Sequence, residues 1–404
     1  MEHIRSVIFG ENGVICGTTE AMEKKLRAIG RSLGRMGTVG LGAWGGEGAR
    51  LLARAAAEGI RQGGGTVLTH DMECAAQGAW LAGRYRLERS LFVEQDMGRL
   101  FLHIFDQDGL ALEKGEEGAL AEGTSGCDGP LGGRGRIQTG MSAYARDVVA
   151  RGALPRFRMH TITAAVPGDS PADRALRRCL SLLGCRVTDH WQRGVPAFGA
   201  ERGGLCLTAQ DERGTLLESE QLLPVLCLIE MEHGCGMVAV PDAAGESSEL
   251  VAAGFGGKCL RPGRDGEKAR SLYLSQPWIR DAAFGAVRIC SRMAVTGERL
   301  EELMNKTPRF SLRRRQVAVR GDREQVLQEL ARRHHRPLTG ESLRIRMGNG
   351  WVRVTAPGQR QALWVAAESA DMEVAAELCD FYVKQVGRAD RDLLRLSEAP
   401  QQEN

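Results

Sequence analysis

TVGLGAWGGEGARLLARAAAEGIRQGGGTVLTHD, residues 38–71, reads as a strand, a glycine-rich turn, a helix, a glycine break and a second strand. The first strand covers Thr38 to Leu41 and the helix lies in EGARLLARAAAEGI. Gly63 to Gly65 interrupt the chain, and TVLT runs out at His70 and Asp71. Two strands joined through a helix cannot close as a hairpin; the crossover makes them parallel neighbours in one sheet. Upstream, TTEAMEKKLRAIGRSLG spaces Met22, Leu26, Ile29 and Leu33 by four, three and four residues. That spacing predicts an amphipathic helix, with Thr18 or Thr19 as its cap.

The same order returns twice. MHTITAAV, PADRALRRCLSLLG and CRVT form a second copy; MVAV, SSELVAAG and KCLR form a third. Three separated βαβ units predict three similar α/β domains instead of one large sheet. The last quarter differs. LRIRM and WVRV alternate around Gly348-Asn349-Gly350 as a hairpin, and LWVAAES adds a strand. DMEVAAELCDFYVKQV follows as a helix with Val374, Leu378, Phe381 and Tyr382 on one face. Residues 113–136, rich in glycine and charge, read as a loop or linker, and the arginines of PRFSLRRRQ (308–316) as a solvated connector. The expected fold class is α/β, with domains at 1–135, 136–216 and 217–312. A small C-terminal α+β domain at 313–390 and a flexible tail at 391–404 complete the chain.

The 404 residues allow two to four domains. Lys and Arg number 54 against 51 Asp and Glu, a net charge of +3, which argues against a basic nucleic-acid binder. Hydrophobic residues make up 43%, enough for ordinary cores, while 5% aromatics leave few stacking platforms for bases or sugars. MEHIRSVIFGENG lacks an apolar signal core, and no segment approaches the roughly 18 apolar residues of a membrane span. The expected compartment is the cytoplasm. The 11 cysteines contain no C-x-x-C pair, and adjacent His334 and His335 would splay about 100° apart on a helix, so no zinc pattern emerges. Buried free thiols account for the cysteines better.

Several segments resemble the phosphohexomutases, the superfamily of phosphoglucomutase, phosphomannomutase and phosphoglucosamine mutase. FGENGVICG resembles the family's F-G-T-x-G-I-R-G opening, and IFDQDGLAL (104–112) its F-F-D-x-x-G segment. GWVRVTAPGQRQALWVAAES (350–369) is similar, without a gap, to G-W-v-l-v-R-P-S-G-T-E-P-k-l-r-v-y-a-E. The resemblance implies three α/β domains and a C-terminal domain around a central cleft. It also implies transfer of a phosphoryl group between two hydroxyls of one hexose through a phosphoserine. Such chemistry needs a hydroxyl nucleophile, a divalent metal, carboxylates on the sugar hydroxyls and donors for the far phosphate.

In each chemical loop the resemblance fades. The family's T-A-S-H-N-P and N-G-x-K fall on LFVEQDMGRLFLHIFD. Counting back from IFD puts Val93 at the serine; anchoring on LFVE with a shortened loop puts Asp96 there, and the lysine becomes His103. The metal loop D-G-D-x-D-R falls on FGAERGGLCLTAQDERG (198–214), where Glu201 is the one acid within the loop and Asp211 belongs to a later strand end. Alternate carboxylates are needed to hold Mg²⁺, so no metal cofactor is expected. Asp106 and Asp108 read as a plain turn.

The sugar loop G-E-E-S-G-H has no counterpart. GESSE (245–249) lies 36 residues before Asp281-Ala282, where the family's next helix is placed, and reads as a helix start with Ser247 near the cap. The phosphate loop R-P-S-G-T-E-P reads TAPGQRQ, with Gly358 in register and Gln359 and Arg360 as weak ligand-binding candidates. The opening arginine is replaced by Cys16.

These losses lead to the expectation of a phosphohexomutase-like protein without mutase activity, serving as a binding or regulatory partner, for example of an active paralogue, with phosphosugar binding still open. The alternative is an active phosphosugar mutase rebuilt on Asp96, His103 and Arg360. A minor alternative is a dinucleotide-binding protein, because Gly40-Leu41-Gly42-Ala43-Trp44-Gly45 matches G-x-G-x-x-G ahead of a helix and Asp71 ends the next strand.

Overall fold

The computed structural model describes residues 8–398 apart from 11–12, 17–19, 97–98, 113–115, 117–119, 121–129, 155–161, 243, 340–341, 349 and 357–361; the side chains of 8–21, 96, 99, 339 and 396–398 are also outside the description. In chain order the elements begin with β1 (Ile8–Gly10), β2 (Gly13–Cys16), α1 (Glu20–Gly34), β3 (Thr38–Trp44), α2 (Glu47–Gln62), β4 (Thr66–Thr69) and α3 (Ala75–Tyr85). β5 (Arg89–Asp96), β6 (Arg99–Asp106) and β7 (Arg134–Arg136) complete a seven-stranded sheet ordered β1-β2-β6-β5-β3-β4-β7. β3 is parallel to both β4 and β5, as the crossover requires.

Strand alternation sorts this sheet's two faces. Leu91 and Val93 of β5 join Met22, Leu26, Ile29 and Leu33 of α1 and Leu52 and Ile60 of α2 in one core. Phe92 turns the other way, with Phe105, onto Leu81 and Ala82 of α3. α1 and α2 cross closely because glycine lets them: a Cβ on Gly59 would fall against the Arg27 carbonyl oxygen. The predicted face of α1 is correct; its threonine cap lies outside the described residues.

Next come α4 (Met141–Gly152), β8 (Thr163–Ala165), α5 (Pro171–Leu183), β9 (Arg186–Thr188), β10 (Ala197–Glu201), β11 (Cys206–Gln210), β12 (Leu216–Leu217) and α6 (Ser219–Glu232). Their five strands form a sheet ordered β12-β11-β10-β8-β9, with β8 and β9 parallel. α5 starts on a capping box in which Ser170 and Asp173 satisfy each other's backbone N–H. β13 (Met237–Ala239), α7 (Ser247–Gly254) and β14 (Lys258–Leu260) are the third parallel pair and its crossover, followed by α8 (Pro262–Ser275), α9 (Ala282–Thr296) and α10 (Leu300–Asn305). The last sheet, ordered β15-β19-β18-β17-β16, contains β15 (Ser311–Ala318), β16 (Leu338–Thr339), β17 (Ser342–Met347), β18 (Gly350–Thr355) and β19 (Ala362–Ser369). α11 (Arg323–Arg333) and α12 (Met372–Glu398) pack on it. The fold class is α/β as expected. The chain divides into two compact units, one of residues 1–235 and 272–306, the other of 236–271 and 307–404.

The structure corrects four readings. Residues 311–318 are not a connector but edge strand β15, paired along its length with β19; its arginines at 313–315 are exposed. The core face of α12 is Ala375, Cys379, Tyr382, Val386 and Ala389, while Phe381 is 44% exposed. Val374, Leu378 and Phe381 lie one residue off that row, about 100° around the helix. α12 also continues to Glu398, so 391–398 is helix and not a flexible tail. Finally, β3 runs through Trp44, which places Gly40 and Gly42 inside a strand and not on a strand-to-helix loop. They are small because neighbours crowd them: a Cβ on Gly40 would sit 2.6 Å from Leu87, and one on Gly42 2.7 Å from Phe92. None of the nine cysteines whose side chains are described is in a disulfide, and six of them are buried.

Candidate functional site

In an open α/β sheet, ligands meet the chain at the C-terminal ends of the parallel strands. In the first unit those ends are Trp44 of β3 and, opposite it in register, Glu94 of β5. The segment beyond Glu94 decides what chemistry is open to this end. β5 and β6 pair without interruption from Arg89↔Asp106 to Asp96↔Arg99, eight successive pairs. Only Met97 and Gly98 remain to join them. The stretch where the resemblance implies a catalytic loop is therefore a hairpin with a two-residue connection.

Of the two serine alignments, Val93 is 1% exposed in the α1–α2 core, opposite Leu102, and Asp96 is the last residue of β5. The side chain of Asp96 lies outside the described residues. His103 stands opposite Phe92, four ladder steps from Asp96, or about 13 Å at strand spacing. Ser90 is the one hydroxyl between residues 89 and 106; it is fully buried and donates to the Gly78 carbonyl.

On the α3 side of the sheet, alternation collects a small polar group that no sequence motif marked. Glu94 (7% exposed) places a carboxylate oxygen 3.4 Å from His103 Nε2 (4% exposed), and neither ring nitrogen of His103 has a hydrogen-bond partner among the described residues. His103 stacks on Phe105 and the nearby His70 on Phe92. Burial holds the His70 pKa down to about 4, so that ring is neutral; its Nδ1 accepts from the Met72 N–H. The available signal was the charged residue in the otherwise apolar run LFVE.

The metal-loop counterpart folds over this group. Glu201 is exposed at the end of β10, and Arg202, Gly203 and Gly204 follow with φ of 51°, 65° and 91° before β11 begins. A Cβ on Gly203 would come 2.6 Å from the Glu94 carboxylate and 2.7 Å from Ala75. Glycine is therefore required there twice, by conformation and by space. The turn does not fit the family's magnesium: it brings one carboxylate, on an exposed side chain, where octahedral oxygen coordination needs several. Among the described residues no cluster of three or more His, Cys, Asp or Glu side chains is arranged to hold a metal. Asp211 accepts from Arg213 and Thr215 N–H groups, and Asp106 from Asp108 and Leu110, so both are turn residues.

In the second unit GESSE is the start of α7, as read, with Glu246 at the cap position. Glu368 of β19 reaches that helix end, accepting from the Glu246 N–H at 3.3 Å and from Ser247 Oγ at 3.5 Å. Arg344 pairs with Glu246 at 3.5 Å and Glu249 at 3.4 Å, and its guanidinium lies 4.6 Å from the Trp351 ring centre. Burial raises the Glu246 pKa to about 7, opposed by Arg344 and assisted by Glu249. The phosphate-loop candidates Gly358, Gln359 and Arg360 lie between β18 and β19, outside the described residues.

No family model matches the chain. A probable phosphoglucosamine mutase of Methanosarcina barkeri is 25% identical over 207 residues, covering 45% of this chain and 47% of that protein, so the match spans about half of the relative. A phosphoglucomutase/phosphomannomutase family protein from Burkholderia thailandensis superposes with a TM-score of 0.72 at 14% identity, over 95% of this chain and 97% of that one. Phosphoglucomutase (parafusin) of Paramecium gives 0.60 at 10% identity, with 95% of each chain covered. Aspergillus fumigatus N-acetylphosphoglucosamine mutase, solved with GlcNAc-6P and magnesium, gives 0.54 at 12% identity, over 95% and 96%. No helix among the described residues is long and apolar enough to cross a membrane. The chain thus has the fold of the phosphohexomutases over nearly its whole length, and over that 207-residue stretch it is similar in sequence to one of them.

Proposed function

We propose that this chain does not turn over phosphosugars and acts by binding, as a regulatory partner of an active paralogue or of another sugar-phosphate enzyme. The observation that carries the reading is the β5–β6 hairpin. Phosphoryl transfer through the protein needs a nucleophile on a loop that can reach the substrate. Here the loop is reduced to two residues, and the one nearby hydroxyl, Ser90, is buried and hydrogen-bonded. Loss of the metal carboxylates adds to this, since each missing electrostatic group in such a site typically costs about 10²- to 10³-fold. The four domains read from the sequence remain the proposed organisation, and no magnesium requirement is proposed. If a small molecule binds at the strand ends, the names of the relatives favour a hexose or amino-hexose phosphate.

The rebuilt-enzyme alternative needs Asp96 and His103 to act together. Their separation along the ladder and the burial of His103 count against it. Incubation with radiolabelled glucose 1,6-bisphosphate is the test. No label should remain on the denatured chain; stoichiometric label, lost in Asp96→Asn, would establish a phosphoenzyme and overturn the reading.

A further inference from the structure

A cavity of about 330 Å³ runs along α3 in the first unit. Ala76, Trp80, Gly83 and Arg84 recur at helical spacing and form one wall; Asp147 and Arg151 of α4, the Asp108–Gly109 turn and the approach to α9 at Arg280 and Asp281 form the others. Three guanidinium groups and three carboxylates thus face one space, and what matters is which of them are already engaged.

Two of the carboxylates are. Asp281, 6% exposed, accepts from the Tyr144 hydroxyl and from the Ala283 and Phe284 N–H groups at the start of α9. Asp147 accepts from Trp80 Nε1 at 2.8 Å and pairs with Arg151 at 3.2 Å. Asp108, on its turn, is the third carboxylate of the wall, and it too has partners. Two of the three cations have no such engagement: among the described residues neither Arg84 nor Arg280 forms an ion pair. Arg84 lies over the Trp80 ring at 5.7 Å. Arg280 is part-buried and donates to the carbonyls of Tyr273 and Leu274, at 2.7 and 3.4 Å. Arg151 lies 5.5 Å over the Phe284 ring.

Each guanidinium is therefore held by its flat face or by one edge, which fixes its direction before anything binds and leaves N–H groups of the fork for a ligand. A largely desolvated cation without a paired anion is costly, and an incoming oxyanion removes that cost. Burial lowers the pKa of Arg280, and the neighbouring charge of Arg151 lowers it further, against Tyr273 and Asp281.

We infer that this cavity binds a small phosphomonoester or pyrophosphate-type oxyanion, gripped by Arg84, Arg151 and Arg280. Fork-shaped donors match a multi-oxygen anion better than a halide, and three of them can engage more oxygens than a lone carboxylate offers. The volume sits at the lower end of small-molecule pockets and admits a phosphate with a modest pendant group. The arginines of the site are not those of the strand-end loops, so its binding does not depend on whether those loops turn over a sugar.

Isothermal titration of the full chain with inorganic phosphate and with pyrophosphate tests this directly. Pyrophosphate should bind, more weakly as salt rises. Replacing both exposed arginines (Arg84→Gln with Arg151→Gln) should weaken it roughly ten- to hundredfold, the loss expected for charge-assisted hydrogen bonds. The melting temperature without ligand should stay near that of the wild type. Arg280→Lys, which keeps the charge and loses the fork, should also weaken binding. Arg186→Gln, on an exposed arginine outside the cavity wall, should leave it unchanged. Absence of binding at millimolar anion, wild-type affinity in the double variant, or an equal loss in Arg186→Gln would each overturn the assignment.

Discussion

Two pieces of the first sheet invite comparison: the β3–α2–β4 crossover and the β5–β6 hairpin. Both are built from apolar strands in the same core, and Val39, Leu41, Leu91 and Val93 pack together there. In the crossover nearly every residue type answers a packing demand. In the hairpin the strands meet the same demand, and two residues of sequence connect them. Sheets of this kind tolerate loops of different length at their strand ends, because the loops add little buried apolar area.

The strongest way to break that contrast is at the helix crossing. Gly59→Val would force a side chain into the Arg27 backbone, and we predict a loss of at least about 3 kcal/mol, read as a collapse of the melting transition or insoluble protein. A near-native melting temperature would show that α1 and α2 are not tightly apposed.

The second prediction concerns the turn over Glu94. Gly203→Ala combines a left-handed φ of 65° with a clash against the carboxylate, and should cost about 1–2 kcal/mol by denaturant unfolding. In a Glu94→Ala background the cost should fall. Equal costs in both backgrounds would mean that the turn does not press on Glu94.

A smaller effect belongs to the second unit. The Glu246 pKa is raised to about 7 by burial, with Arg344 and Arg346 opposing and Glu249 and Glu368 assisting. A folded-state value above the ordinary 4.5 means that this group's contribution is fully present below pH 4.5 and is lost as pH rises through about 7. Glu246→Gln, always neutral, should therefore gain melting temperature relative to the wild type between pH 5 and pH 8. The opposite trend would place the carboxylate in an environment that favours its charge.

The smallest predicted effect is at the exposed Glu201. Glu201→Gln should change stability by less than about 0.5 kcal/mol, and magnesium or EDTA should leave the melting temperature of both proteins unchanged. A magnesium-dependent rise that Glu201→Gln abolishes would restore a metal site to this turn.

Much of the scaffold was legible because its signals are local. Met22, Leu26, Ile29 and Leu33 are all buried as their spacing predicts, and three parallel strand pairs stand where three βαβ patterns were read. The arginines of β15 concealed a strand because an edge strand keeps its hydrogen bonds to one neighbour while residues 313–316 stay exposed, so no apolar alternation marks that stretch. Phe381 was misplaced by one residue in a helix, enough to rotate it out of the core. The site was less legible for a different reason. Glu94 and His103 meet only through the register of two strands, and Arg84, Arg151 and Arg280 come from three separate segments, so no spacing in the sequence announces either group.

The central claim is that this scaffold has no mutase turnover. A coupled mutase assay with glucose 1-phosphate, mannose 1-phosphate and glucosamine 6-phosphate, with magnesium and a hexose bisphosphate activator, tests it most directly. The prediction is no product above the no-enzyme rate with any of the three sugars. Turnover that rises in proportion to added protein, and that Asp96→Asn or His103→Gln removes, would contradict it and establish a rebuilt active site at the end of β5.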